Sequence, residues 1–201
     1  MHITINFISS SNVFNGQAGE NNNIEKGLHG PKLLDKIKIH NPPVEESLDN
    51  LMDYDGIFSV VKKSVKTVLG KERSGLGLAL SDLPVTLGAF WQVGGNYIVM
   101  NEVLVKAMSR IAKTPREFNS FVYTILTHEY LHSVGYIDEF QARQMTALVA
   151  KQTFGSEHPA VVMSSGDIWK QYPLFLSLRG GDGSVLKIIS RFDTDSTSYI
   201  A

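Results

Sequence analysis

A chain of 201 residues, 43% hydrophobic and 19% charged, has the makeup of one folded domain with extensions and can bury a substantial core. Its formal net charge of −1 gives no electrostatic case for nucleic acid or an anionic membrane surface, and no run approaches the roughly 20 apolar residues of a membrane span. The absence of cysteine excludes disulfides, thiolate metal ligands and a cysteine nucleophile, so any metal must be held by histidine and carboxylate.

From the N-terminus, residues 2–7 alternate and read as a short strand. They lack the basic and apolar regions of a signal peptide, so the expected location is cytoplasmic. Residues 9–23, rich in Ser, Asn and Gly, read as a loop. The stretch 32–39 fits a short helix or a strand equally, and Asn41-Pro42-Pro43 stops it. Between 44 and 69 apolar residues recur at helical spacing (Leu48, Leu51, Met52, Ile57, Val60, Val61, Val65, Val68, Leu69), with Asp55-Gly56 a point where the helix could divide and Gly70 a C-cap. The lysines from Lys62 to Lys71 read as a solvated helix face. Residues 74–88 read as a glycine-studded connection.

Two strand-like segments, 88–93 and 96–101, flank Gly94-Gly95 and predict a β-hairpin. A helix should follow from Glu102 to about Ala112. Thr114-Pro115-Arg116-Glu117 then supplies an N-cap, a proline at the first helical position and a glutamate at the third, a capping box. The helix it opens carries Phe118, Phe121, Val122, Ile125 and Leu126, and Gly135 should end it as a left-handed residue at C′. Asp138 is a good N-cap for a second helix reaching Phe154. Residues 166–176 predict one more short helix interrupted by Pro173. Residues 185–189 predict a strand, and the tail beyond reads as frayed. The strand-like ends of the chain could pair with each other.

The chemistry sits at the end of the capped helix, in Thr127-His128-Glu129-Tyr130-Leu131-His132-Ser133-Val134-Gly135-Tyr136-Ile137-Asp138-Glu139. On a helix His128 and His132 point off the same face, four residues apart, and two neutral imidazoles so placed can hold one Zn²⁺. Glu129 sits beside them as the base for a metal-activated water. A catalytic site needs a third protein ligand and an open position, and the nearest carboxylates are Asp138 and Glu139. His128-Glu129-x-x-His132-x-x-Gly135-x-x-Asp138 resembles the metzincin motif, with Val162-Met163-Ser164 downstream where a Met-turn could lie. In the alternative, Glu139 is the ligand and Asp138 the cap; Glu139 is preferred because Asp138 is also wanted at the N-cap.

Glu139-Phe140-Gln141-Ala142-Arg143 resembles the Glu-(Phe/Tyr)-x-Ala-Asp signature of the glutamate helix in M48-type gluzincins, and departs from it at Arg143. A hairpin, a helix, the His-Glu-Tyr-Leu-His helix and a helix opening on Glu139, with Phe154-Gly155 and His158-Pro159 after it, resemble in order the minigluzincins. These are small soluble archaeal scaffolds similar to the catalytic domains of integral-membrane metallopeptidases. The resemblance covers about 83–159. It implies a helical subdomain with a short sheet, zinc held by His, His and Glu, and isolated forms that are latent.

The expected fold is therefore α+β and mainly helical, zincin-like, with the active-site and glutamate helices packed on a small β-sheet or hairpin. The expected organisation is an N-terminal extension (1–82), a catalytic core (83–176), and a C-terminal strand and tail (177–201). The expected function is that of a zinc-dependent metalloendopeptidase acting on peptide or unfolded protein, with Glu129 as general base and His128, His132 and Glu139 around one Zn²⁺. The alternative is a latent or regulatory zinc protein whose cleft is covered by a terminal segment. Strand residues Asn96, Tyr97, Ile98 and Val99, taken as a sheet edge, would bind an extended peptide by β-augmentation. Tyr130, Tyr136, Tyr172 and His158 are the available donors for the oxyanion. His2, His29 and His40 read as bystanders.

Overall fold

The computed structural model describes the backbone of residues 2–6 together with residues 48–50 and 52–195; the expectations for 9–23 and 32–39, for His29 and His40 and for the His2 side chain lie outside them. The architecture is α+β and mainly helical. In chain order it runs β1 (His2–Asn6), α1 (Tyr54–Leu69), β2 (Gly77–Ser81), β3 (Leu87–Gln92), β4 (Tyr97–Asn101), α2 (Glu102–Ile111), α3 (Pro115–Ser133), α4 (Glu139–Phe154), α5 (Pro159–Ser165), α6 (Ile168–Gln171), a 3-10 turn at Pro173–Ser177, and β5 (Leu186–Ile189). None of the described helices is long and apolar enough to cross a membrane.

Helix α3 is the axis of the molecule. Every residue from Asn119 to His132 is buried, so the helix is enclosed on all sides rather than amphipathic. Around it pack α1, α4 and α5, with β3 and β4 of the sheet on the remaining side. Its start follows the capping-box expectation. The Thr114 hydroxyl accepts from the Glu117 amide at 3.1 Å, while Glu117 Oε2 reaches back one residue further than usual, to the Lys113 amide at 2.8 Å. Helix α1 is unbroken across Asp55-Gly56, because Asp53 caps it just upstream by accepting from the Gly56 amide at 2.9 Å.

The sheet has five strands in the order β1-β3-β4-β2-β5. The hairpin is present, with Trp91 paired to Ile98 and Gly94 at φ 80, the positive angle its tight turn requires. Two sequence expectations are corrected. Residues 77–81, read as connection, form β2, which pairs in parallel with β4. The two end strands do not meet: β1 pairs with β3 and β5 with β2, at opposite edges. Strand β4 passes directly into α2 at Asn101. This fully buried side chain caps the helix through Val103 and donates to the carbonyls of Leu83, Pro84 and Leu87 at 3.2, 3.0 and 2.8 Å.

One face of the sheet joins the main core with the helices, and the other carries a small apolar cluster of Ala79, Leu83 and Val99 with Leu87 and Phe90. The described part of the tail is docked, not frayed. Phe192 stacks on Phe58 with ring centroids 4.3 Å apart, and Asp193 is buried against Lys62. Lys62 is thus a core cation, not part of a solvated face.

Candidate metal centre

Local signals alone account for how His128 and His132 come to face the same space. They lie one turn apart at the C-terminal end of α3, and the helix stops at once afterwards. Gly135 has φ 106; its amide bonds the His132 carbonyl at 3.1 Å and the Tyr136 amide bonds the Leu131 carbonyl at 3.0 Å. These two bonds are a Schellman termination. The reversal brings the Tyr136 carbonyl to 2.7 Å from His132 Nδ1. A carbonyl can only accept, so Nδ1 carries the proton and Nε2 keeps its lone pair on the site side.

Three residues later α4 begins, and its first turn separates the two carboxylates. Asp138 Oδ1 accepts from the Gln141 amide at 2.8 Å as the N-cap. Glu139 Oε2 lies 3.3 Å from Nε2 of both His128 and His132, and those two nitrogens are 2.9 Å apart. A tetrahedral zinc ion with bonds of about 2.0–2.2 Å would separate its ligand atoms by about 3.3–3.5 Å, so the three donors need move by only a few tenths of an ångström to hold it. Among the described residues this is the one group of three or more such side chains that could hold a metal ion.

The electrostatics suit a cation. Burial lowers the His128 imidazole, only partly opposed by Glu139, which keeps the ring in the neutral form that ligates. Burial works against ionisation of Glu139, but the adjacent imidazoles of His128 and His132, with help from the Arg143 guanidinium, outweigh it and hold the carboxyl well below its usual range. Glu129 is fully buried and neither of its oxygens has a hydrogen-bond partner. Burial and the charge of Glu139 push it well above the usual carboxylate range; the Trp91 backbone lies close enough to oppose this, though not at hydrogen-bonding geometry. An unpaired buried carboxylate is costly, and a dication at the neighbouring cluster would relieve that cost.

Beside His128 a pocket of about 50 Å³ is lined by Thr124, Ile125, Arg143, Thr146, Met163 and Ser164. Met163 lies within helix α5, so residues 162–164 are helical and form no Met-turn. Sequence reading missed this pocket because its walls come from three helices.

The expectation for Asn96, Tyr97, Ile98 and Val99 fails on topology. β4 is an interior strand, hydrogen-bonded to β3 on one side and to β2 on the other, so it has no edge to offer a peptide. Asn96 accepts from Arg73 at 3.1 Å, Ile98 is in the main core, and Val99 is in the small cluster on the opposite face. Tyr97 lies over Gly77, where an added Cβ would stand 2.4 Å from its ring.

Three of the oxyanion candidates are committed elsewhere. The Tyr130 hydroxyl bonds the Arg73 backbone at 2.7 and 3.0 Å, Tyr172 donates to Glu117 at 2.8 Å, and His158 caps α5 through the Ala160 amide at 3.1 Å. Tyr136 contributes its carbonyl, while its ring lies 5.0 Å below the Lys71 ammonium. The chain matches no protein-family model, no curated protein and no solved structure.

Proposed function

We propose that this chain is a zinc-dependent metalloendopeptidase of gluzincin type, in which His128, His132 and Glu139 hold one Zn²⁺. The observation that carries this reading is the convergence of three ligand atoms within 4.8 Å beside a buried, unpartnered Glu129. When bound, the ion would supply a water of lowered pKa, towards about 7, and a Lewis acid for the scissile carbonyl. Glu129 then takes the proton of the attacking water and delivers it to the leaving amine. His132, with Nδ1 donating to the Tyr136 carbonyl, keeps its ring orientation through the cycle. The same elements support the zincin-like description of the fold and the resemblance to minigluzincins.

The test is hydrolysis of unfolded casein and of a fluorogenic peptide library by zinc-loaded protein. Glu129→Gln should retain zinc and lose about 10²–10⁴-fold in rate. A zinc-loaded wild type that cleaves nothing, with or without residues 1–6, would sink the peptidase reading.

A latent form is favoured by one specific observation. Strand β1 pairs antiparallel along β3, with Ile3 opposite Trp91, the residue whose backbone adjoins Glu129. An extended peptide bound by β-augmentation would use that same edge of β3. On this reading a chain beginning at residue 7 cleaves faster than the full chain under identical zinc loading, and equal rates would count against it.

A further inference from the structure

We infer that Arg143 is a positioning residue for the metal centre, holding Glu139 as a one-oxygen ligand; this rests on the zinc reading above. Glu139 opens α4 and Arg143 lies one turn further along the same face. Arg143 Nε donates to Glu139 Oε1 at 2.9 Å, whereas Oε2 is the oxygen that lies 3.3 Å from both histidine Nε2 atoms. The two oxygens of one carboxylate therefore have different duties. Arg143 also lines the pocket beside His128, so its guanidinium stands at the rim of the site and not on a remote face.

The chemistry gives this division a purpose. The terminal torsion of a glutamate is broad and roughly two-fold, so an unanchored carboxylate turns easily. With both oxygens free it could chelate the ion, adding a fifth ligand atom beside the water and crowding the position that a catalytic site keeps open. A charged hydrogen bond to Oε1 opposes that turn. Both side chains are partly exposed, at 41% and 36%, so the pair adds little to folding stability. Its effect falls on the metal, where outer-sphere partners of this kind commonly change affinity 10–100-fold.

Co²⁺ is the probe for coordination number, because its visible absorption weakens sharply from four to five ligand atoms, and a chromophoric chelator reports Zn²⁺ affinity. In Arg143→Ala the Co²⁺ band should lose intensity and Zn²⁺ affinity should fall about 10-fold or more, with thermal unfolding of the metal-free protein nearly unchanged. Arg143→Lys, which keeps a donor of the same charge at the same spacing, should recover part of both. Wild-type band intensity and affinity in Arg143→Ala would overturn the role while leaving the zinc reading intact. A wild type that takes up neither ion would overturn the zinc reading itself, and this role with it.

Discussion

At the scale of single residues, the decisive step is how two adjacent carboxylates divide two tasks. Helix α4 needs an acceptor at its N-cap, and the proposed zinc ion would need a third, negative ligand. Asp138, in extended backbone at ψ 127, turns its side chain to the Gln141 amide, and Glu139, at the first helical position, projects toward the histidines. The extra methylene of glutamate lengthens its reach, and the shorter aspartate suits the cap. The two losses should differ in kind. Glu139→Ala should abolish stoichiometric zinc with little change in the stability of the metal-free protein. Asp138→Ala should keep zinc and lose about 1 kcal/mol of stability. Metal analysis and urea denaturation on the two variants check this, and loss of zinc in Asp138→Ala alone would reverse the assignment.

At the scale of elements, the site depends on where α3 stops. Gly135 has no crowded neighbour, the nearest atom to an added Cβ being Lys71 Nζ at 3.8 Å, so an alanine there would be strained only by its φ of 106. Gly70 ends α1 in the same left-handed way, at φ 65, with nothing within 4 Å. Gly135→Ala and Gly70→Ala should therefore each cost about 1–2 kcal/mol in urea denaturation. Zinc affinity should fall only in the first, because the Tyr136 carbonyl that orients His132 hangs on that turn. Equal zinc affinity in both variants would detach the turn from the site.

The same contrast explains what the sequence disclosed. The capping box at Thr114, the glycine at 135, the cap at Asp138 and the Gly94-Gly95 hairpin are local signals, each written within a few residues, and all four elements stand where they imply. Strand β2 is Gly-Leu-Ala-Leu-Ser, with no β-branched residue and only small residues around its two leucines. It is a strand only because β4 and β5 flank it. Missing it made β4 look like an edge open to a further strand. The two histidines were legible because i, i+4 is a helical spacing, and the two carboxylates because they follow closely on the glycine stop. Arg143 as partner of Glu139, and the pocket walled by α3, α4 and α5, needed the packed structure.

At the scale of the whole molecule, the chain is closed by contacts between residues more than a hundred positions apart. Asp193, at φ 57 in the left-handed region that aspartate tolerates, is almost fully buried. One oxygen meets the Lys62 ammonium, and the other accepts from the Gly75 and Leu76 amides at 2.7 and 3.1 Å. Nearby, the Thr194 amide donates to Asp55 at 3.0 Å and the Ser59 hydroxyl to Asp195 at 2.7 Å. This clip ties the C-terminal segment, and β5 just before it, to α1 and to the loop that leads into β2. Those elements flank α3 and the sheet but supply no metal ligand. Its loss should therefore weaken the fold without changing the ligand set. Asp193→Asn keeps a carbonyl oxygen for the amides but leaves Lys62 charged in a buried setting, and should cost about 3 kcal/mol. Removing the cation as well, in Lys62→Met with Asp193→Asn, should cost clearly less than the two single changes added together, with a coupling of about 1 kcal/mol or more. Urea denaturation of the four proteins of this cycle measures it, and simple additivity would show that the buried pair does not act as a unit. Zinc affinity measured alongside, in conditions where each variant is folded, should stay within a few-fold of the wild type, because the clip contributes none of the three candidate ligands.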